Sequence, residues 1–215
     1  MIDLPDALSH VLWIGGGPCV GKSTLARFLA GKYDLKIYDA DWRHAYAHRD
    51  RPGGIAPGWD DLTMDERWLL PSPAELAERD IRNWTGLFRL IVEDLLALPS
   101  TRTIVVDGKL FPWVVAPMLA SSTRAIFLVP TPAWRDRVLA RRLRDGGRFE
   151  DRTSDPERAR RNVRERETLM NARITASCDE LGLRCVRVDG SLDLDDSLAI
   201  LEEQFRSHLP STCNV

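Results

Sequence analysis

The chain is 215 residues long with a formal net charge of −2, enough for one α/β domain with a substantial core and too short for two full domains. The near-neutral balance excludes a global basic field of the kind that recruits nucleic acid or an anionic membrane surface. Only Lys22, Lys32, Lys36 and Lys109 are lysines, so the cations are nearly all Arg, a residue suited to bidentate pairing with phosphate and carboxylate.

The first element is an apolar run of strand length, Val11–Ile14. It turns through three glycines and resumes with helical spacing from Ser23 to Leu29. Between the two, Gly16, Gly21, Lys22 and Ser23 satisfy G-x-x-x-x-G-K-[ST]. In such a loop Gly16, Gly17, Pro18, Cys19, Val20 and Gly21 turn backbone N–H groups onto a phosphate chain, and the positive end of the following helix, at Ser23 and Thr24, points at the same place. Lys22 would reach the terminal phosphates, and the Ser23 hydroxyl would ligate Mg²⁺. Nucleotide binding with Mg²⁺ is the expectation.

A second strand, Leu35–Tyr38, leads into Asp39-Ala40-Asp41. Residues two apart at an extended strand end face the same side, which would let both carboxylates address one cleft; the competing reading makes Asp39 the strand end and Asp41 a helix cap. The stretch from Trp42 to Pro71 is long for a connection and rich in Trp, His, Arg and Gly, as functional loops are. Trp42, Arg43, His44, Tyr46, His48, Trp59 and Trp68 would form an aromatic-walled pocket for a molecule with a ring and an anionic or polar group. Alternatively, Trp59 and Trp68 pack this subdomain onto the next helix. That helix starts at the capping box Ser72-Pro73-Ala74-Glu75 and carries Ile81, Trp84, Phe88, Ile91 and Leu95 on one stripe to about Leu98.

The third strand, Thr103–Val106, ends in Asp107-Gly108, where Asp107 would join Ser23 at the metal; Lys109, two residues on, is either a substrate contact or a solvated surface lysine, and the second reading is preferred. The fourth strand, Ala125–Val129, precedes an Arg-rich segment from Arg137 to Arg166. It reads as a helix end, a break at Asp145-Gly146-Gly147, and a new helix with a capping box at Ser154-Asp155-Pro156-Glu157. A glycine-hinged lid carrying arginines would close over a nucleotide, exclude water and neutralise charge. The fifth strand, Cys185–Val188, leads to Asp189-Gly190-Ser191, with Ser191 as the expected cap of the last helix. Strands separated by helix-length segments imply a parallel sheet covered on both faces, with ligands beyond the carboxyl ends of the strands.

A Walker A loop, D-x-D after the second strand, an acid after the third and an Arg-rich segment after the fourth resemble the small P-loop kinases of metabolites: shikimate, gluconate, adenylylsulfate and nucleoside monophosphate kinases, and chloramphenicol phosphotransferase. The resemblance implies a P-loop NTPase fold of kinase type, a five-stranded sheet of order 2-3-1-4-5, and one domain over residues 1–215. Within it an acceptor-binding insertion would span about 42–98 and a lid about 141–160. It implies transfer of the γ-phosphoryl of Mg·ATP to a hydroxyl or phosphate of a small molecule. Lys22, Asp41, Arg148 and Arg152 would act in catalysis and Asp39 with Ser23 and Asp107 at the metal. Arg141 or Arg142 would lie near the base, and the Gly190 turn would pack against adenine.

A regulatory GTPase would need N-K-x-D after the fourth strand, where Pro130-Thr131-Pro132 stands instead. A nucleotide-dependent switch without turnover stays open, and a nucleic-acid end kinase is disfavoured by the charge. The cysteines Cys19, Cys178, Cys185 and Cys213 show no CxxC spacing, so reduced thiols are expected. With no basic-then-apolar leader and no apolar run near the ~18 residues of a membrane span, a cytoplasmic protein is expected.

Overall fold

The computed structural model describes residues 3–142 and 148–211. Five strands, β1 (Val11–Gly16), β2 (Lys36–Asp39), β3 (Ile104–Asp107), β4 (Ala125–Pro130) and β5 (Arg184–Val188), form one sheet in the order β2-β3-β1-β4-β5. Every pairing is parallel. The longer helices are α1 (Lys22–Tyr33), α2 (Pro73–Ala97), α3 (Pro132–Arg142), α4 (Pro156–Leu181) and α5 (Leu194–Phe205).

Alternation along β1 assigns the two layers. Val11 and Trp13 belong to the core under α2 and α4, with Phe88, Ile91, Leu95, Met170 and Ile174. Leu12 and Ile14 belong to the core under α1 and α5, with Leu25, Leu29, Leu201 and Phe205. Each large side chain buried this way stabilises the fold by about 1.5–3 kcal/mol, so packing rather than propensity fixes the helices on the sheet.

The box at α2 forms as its sequence implies: Ser72 N donates to Glu75 Oε2 at 2.8 Å and Glu75 N to Ser72 Oγ at 3.3 Å. Two other caps move. Asp155, not Ser154, caps α4 by accepting from Arg158 N at 3.0 Å, because Pro156 takes the first helical position. Ser154 instead donates from N and Oγ to Asp65. Asp193, not Ser191, caps α5, and Ser191 turns back onto Asp189. A box at Thr63 and Glu66 opens the short helix Met64–Trp68; its T-x-x-E signature is present in the sequence and was not part of the expectation.

The connection after β2 continues as a helical turn, Ala40–Trp42, and a π-helical turn, Arg43–Ala47. It is pinned to α2 through Asp94. That carboxylate accepts from Tyr38 Oη at 2.7 Å and Arg51 Nη1 at 2.6 Å, and lies 2.8 Å from His48 Nε2. Among the described residues no helix is long and apolar enough to cross a membrane. Cys19, Cys178 and Cys185 are free thiols; Cys213 and the expected break at Asp145-Gly146-Gly147 lie outside the described residues.

Candidate functional site

The glycine loop joins the carboxyl end of β1 to α1. Gly16 has φ 112°, and a Cβ there would strike the Leu128 backbone, so only glycine brings β1 this close to β4 while turning. Cys19 is held at φ 63°, a left-handed conformation that an L side chain seldom adopts. Val20 packs into the core, leaving its backbone to the loop. The first N–H groups of a helix lack intrahelical partners, so Ser23 and Thr24 present theirs at this turn. Lys22 is 9% exposed, and its ammonium folds over the loop to donate to Gly17 O at 2.6 Å and Gly16 O at 3.4 Å. Burial pulls its pKa below the usual lysine value, against the pull of Asp41 and Asp107.

Asp107 ends β3 opposite Asp39 of β2. It is 1% exposed and its Oδ2 has no hydrogen-bond partner among the described residues. Burial pushes its carboxyl up, and so do the charges of Asp39 and Asp41, while a hydrogen bond from Ser23 and the charge of Lys22 act the other way. A buried carboxylate oxygen without a donor is a place for a cation. Among the described residues no group of three or more His, Cys, Asp or Glu makes a protein-only cage. Mg²⁺ asks for none, since it keeps waters and takes one or two protein oxygens with substrate phosphate; Asp107 and Ser23 fit that demand.

The D-x-D pair differs from the expectation in detail. The helical turn begins at Ala40, so strand alternation does not align the two carboxylates. Asp39 caps that turn, accepting from Trp42 N at 2.8 Å. Asp41 accepts from Lys109 N at 2.8 Å and lines a cavity of 120 Å³ over the glycine loop together with Gly16, Gly17, Pro18 and Lys22.

A second cavity, of 630 Å³, lies between the connection after β2, α2 and α4, walled by His44, Trp59, Trp68, Trp84 and Phe149 among others. Lys109 and Arg166 line both cavities. Lys109 is therefore not a solvated lysine: its Nζ donates to Asp80 Oδ2 at 2.6 Å, and burial lowers its pKa. Arg166 Nη1 stands 3.4 Å from the same Asp80 oxygen, and its Nη2 donates to Glu167 at 3.1 Å. Glu167 in turn pairs with the buried Arg135 of α3. Burial works against the Asp80 carboxylate, but Lys109 and Arg166 outweigh it and hold its pKa below the usual range.

Only part of the expected aromatic pocket assembles. His44, Trp59 and Trp68 line the larger cavity. Trp42 and Tyr46 pair with each other on the surface, 5.3 Å apart. Arg43 lies over the Tyr38 ring, and His48 is buried on Asp94. Trp59 and Trp68 meet edge to face at 5.8 Å under the guanidinium of Arg79, so they pack the subdomain and wall the cavity at once.

Arg141 and Arg142 are exposed at the end of α3, where the charge of Arg142 reaches Cys19 of the loop. The Gly190 turn, at φ 86°, packs directly on the Trp134 ring, whose Nε1 donates to Cys19 O at 3.1 Å. Arg148 pairs with the fully buried Glu150 and faces a cleft shared with Arg160, Arg161 and Arg164. Arg152 is exposed, and neither Arg148 nor Arg152 lines the two cavities. Sequence reasoning missed Asp80, Trp134 and Arg166 and misjudged Lys109. The available signal was positional: Lys109 follows a strand end on the ligand rim, and Asp80 stands one turn before Trp84 on α2.

No protein-family model matches the chain, and no curated protein matches it. Among solved structures, one similar chain is described as "a putative kinase" from Chloroflexus aurantiacus J-10-fl. It is 18% identical, with a TM-score of 0.49 over 93% of this chain and 98% of that one. Another is an uncharacterized protein from Eubacterium ventriosum ATCC 27560, 14% identical, with a TM-score of 0.44 over 92% and 98%. At such identities a likeness concerns the course of the backbone, and no residue role passes from either protein to this one.

Proposed function

We propose that the protein is a small-molecule kinase of the P-loop type that moves the γ-phosphoryl of ATP to a hydroxyl or phosphate of an acceptor. The observation that carries this reading is the pair of cavities. The one over the glycine loop shares Lys109 and Arg166 with a second, large enough for a metabolite. A nucleotide switch has no use for the second cavity.

In this reading the loop from Gly16 to Thr24 holds the phosphates through backbone N–H groups, and Lys22 leaves the carbonyls of Gly16 and Gly17 to pair with them. Ser23 and Asp107, with Asp39 nearby, would hold Mg²⁺, which would supply positive charge to the phosphoryl oxygens. Asp41 lines the smaller cavity and accepts from the backbone of Lys109, which lines both; there a carboxylate would orient an acceptor hydroxyl and take its proton. Arg141, Arg142 and the Gly190 turn flank the base. Arg148 and Arg152 belong to the lid, and Arg148 would exchange Glu150 for phosphate on closure.

The test is ADP release from Mg·ATP by the purified protein, measured against pooled nucleosides, nucleotides, sugars, hydroxy acids and hydroxylated antibiotics, with Asp41→Asn alongside. Stimulation by one pool, lost in the variant, is expected. Tight ATP binding with no stimulation by any pool would favour a nucleotide-gated switch instead.

A further inference from the structure

The wall between the two cavities carries an unusual burden. Arg166 is buried and Lys109 half-buried; the carboxylate of Asp80 faces both, and Glu167 takes the other end of the Arg166 guanidinium. Among the described residues Asp80 is the only acid lining the larger cavity, against Arg49, Arg82, Lys109 and Arg166. Arg49 has its own partner in Asp60, outside that wall.

Two buried groups in the same wall lack partners among the described residues: Arg166 Nε, on a side chain 7% exposed, and His44 Nδ1. A buried donor such as Arg166 Nε is normally satisfied, and His44 Nδ1 donates or accepts according to its tautomer, so the wall has room for a hydrogen-bonding ligand. His44 lies with its edge against Trp84, ring centroids 4.8 Å apart, and Lys109 Nζ stands 5.5 Å above the Trp84 ring. Lys109 is therefore set against the Trp84 face, and the Arg166 guanidinium lies over the Trp68 ring of the same cavity at 5.5 Å. A cationic molecule placed here would meet like charges, while a neutral sugar would bring no charge to Lys109 and Arg166, which share the carboxylate of Asp80.

We propose that the acceptor is itself an anion, a phosphomonoester or carboxylate attached to a flat ring, with its anionic end on Lys109 and Arg166 and its ring against Trp84 and His44. This deepens the kinase reading and rests on the larger cavity being the acceptor site. Asp80 is then a positioning residue. It holds the two cations in place while the cavity is empty and competes with the incoming anion.

The experiment is equilibrium binding without ATP, read by calorimetry. The probes are nucleoside 5′-monophosphates, their parent nucleosides, neutral monosaccharides and a cationic aminoglycoside, tested on the wild type and on Lys22→Ala, Lys109→Gln, Arg166→Gln and Asp80→Asn. At least one monophosphate is expected to bind with a Kd below about 1 mM, at least about tenfold tighter than its nucleoside. Lys22→Ala should keep that binding, whereas Lys109→Gln and Arg166→Gln should each lose about tenfold or more. Asp80→Asn should tighten it, a gain that a purely structural role would not produce, and melting curves identify any variant that fails to fold.

Three results would overturn the proposal: equal binding of nucleosides, sugars or the aminoglycoside; loss of monophosphate binding in Lys22→Ala; or no anionic ring compound bound at about 1 mM. Monophosphate binding without ADP release in the turnover assay would sink the kinase reading and leave the anion site standing. Turnover on a neutral acceptor would do the reverse.

Discussion

Asp39 and Asp107 stand opposite each other at the carboxyl ends of neighbouring parallel strands, and they differ in what their oxygens do. Asp39 accepts a backbone N–H, while Asp107 keeps a buried oxygen without a donor among the described residues. Because the folded state raises the Asp107 pKa, the native protein binds that proton more readily than the unfolded chain. Stability therefore falls as pH rises from the ordinary carboxylate range through the raised value. Asp107→Asn removes the charge, so at pH 7 in EDTA it is expected to raise Tm by about 2–4 °C, the shift worth about 1 kcal/mol in a chain of this size. It should also abolish the extra Tm gain that Mg²⁺ adds to ADP. A lower Tm in EDTA together with an intact Mg²⁺ effect would remove Asp107 from the metal site.

Lys22→Ala deletes the ammonium that spans Gly16 O and Gly17 O. ATP affinity is expected to fall by at least about tenfold, with no ADP release detectable. Calorimetric titration decides it, and unchanged affinity would mean that the lysine only braces the loop.

Asp41→Asn separates charge from scaffold, since the amide oxygen still accepts from Lys109 N. Mg·ATP affinity should stay within about twofold while turnover drops by roughly 10²-fold or more. If affinity for ATP collapses instead, Asp41 serves the donor and not the acceptor.

Trp134→Phe keeps a ring against Gly190 but loses the bond to Cys19 O, a contact worth about 0.5–1.5 kcal/mol at a backbone position held left-handed. ATP binding is expected to weaken with only a small loss of Tm. Gly190→Ala, by contrast, drives a methyl into the Trp134 ring at positive φ and should cost about 1–3 kcal/mol. Thermal melts of both variants test this, and equal melts would show that the turn relaxes freely.

Burial works to raise the Asp94 pKa, but hydrogen bonds from His48, Tyr38 and Arg51 overcome it and hold the pKa low. Its contribution to stability is present above the ordinary carboxylate range and is lost as pH falls through the depressed folded value. Asp94→Asn is expected to speed amide exchange in residues 43–55 at neutral pH while leaving β1 and β4 protected. Unchanged exchange there would mean that the segment is held by other contacts.

The frame was legible because its signals are local. Each strand begins within one residue of its apolar run, and Ser72, Pro73 and Glu75 start α2 by satisfying backbone groups close in sequence. Caps shifted where two rules competed, as at Ser154 and Asp155, where proline's preference for the first helical position decided the register. Asp41 falls in the helical turn that follows β2, whereas the rim carboxylates Asp39 and Asp107 were legible as strand ends. Lys109, Asp80 and Arg166 were not, because they come from a loop and two helices far apart in the chain and acquire meaning only when packing excludes water between them. Trp42 and Tyr46 misled for the converse reason: composition says that an aromatic is present, not which way a π-helical turn points it.

Lys109, Asp80, Arg166, Glu167 and Arg135 form a line of alternating sign that runs from the loop after β3 through α2 and α4 to α3. In such a line each interior member answers to two neighbours, so removing one strands a charge on either side. Single substitutions along it will overstate what each contact is worth, and double-mutant cycles will find them strongly non-additive. Charge along this line is accordingly held in common: a sign lost at Asp80 or Glu167 costs least when a flanking cation is neutralised with it or when a bound anion takes its place.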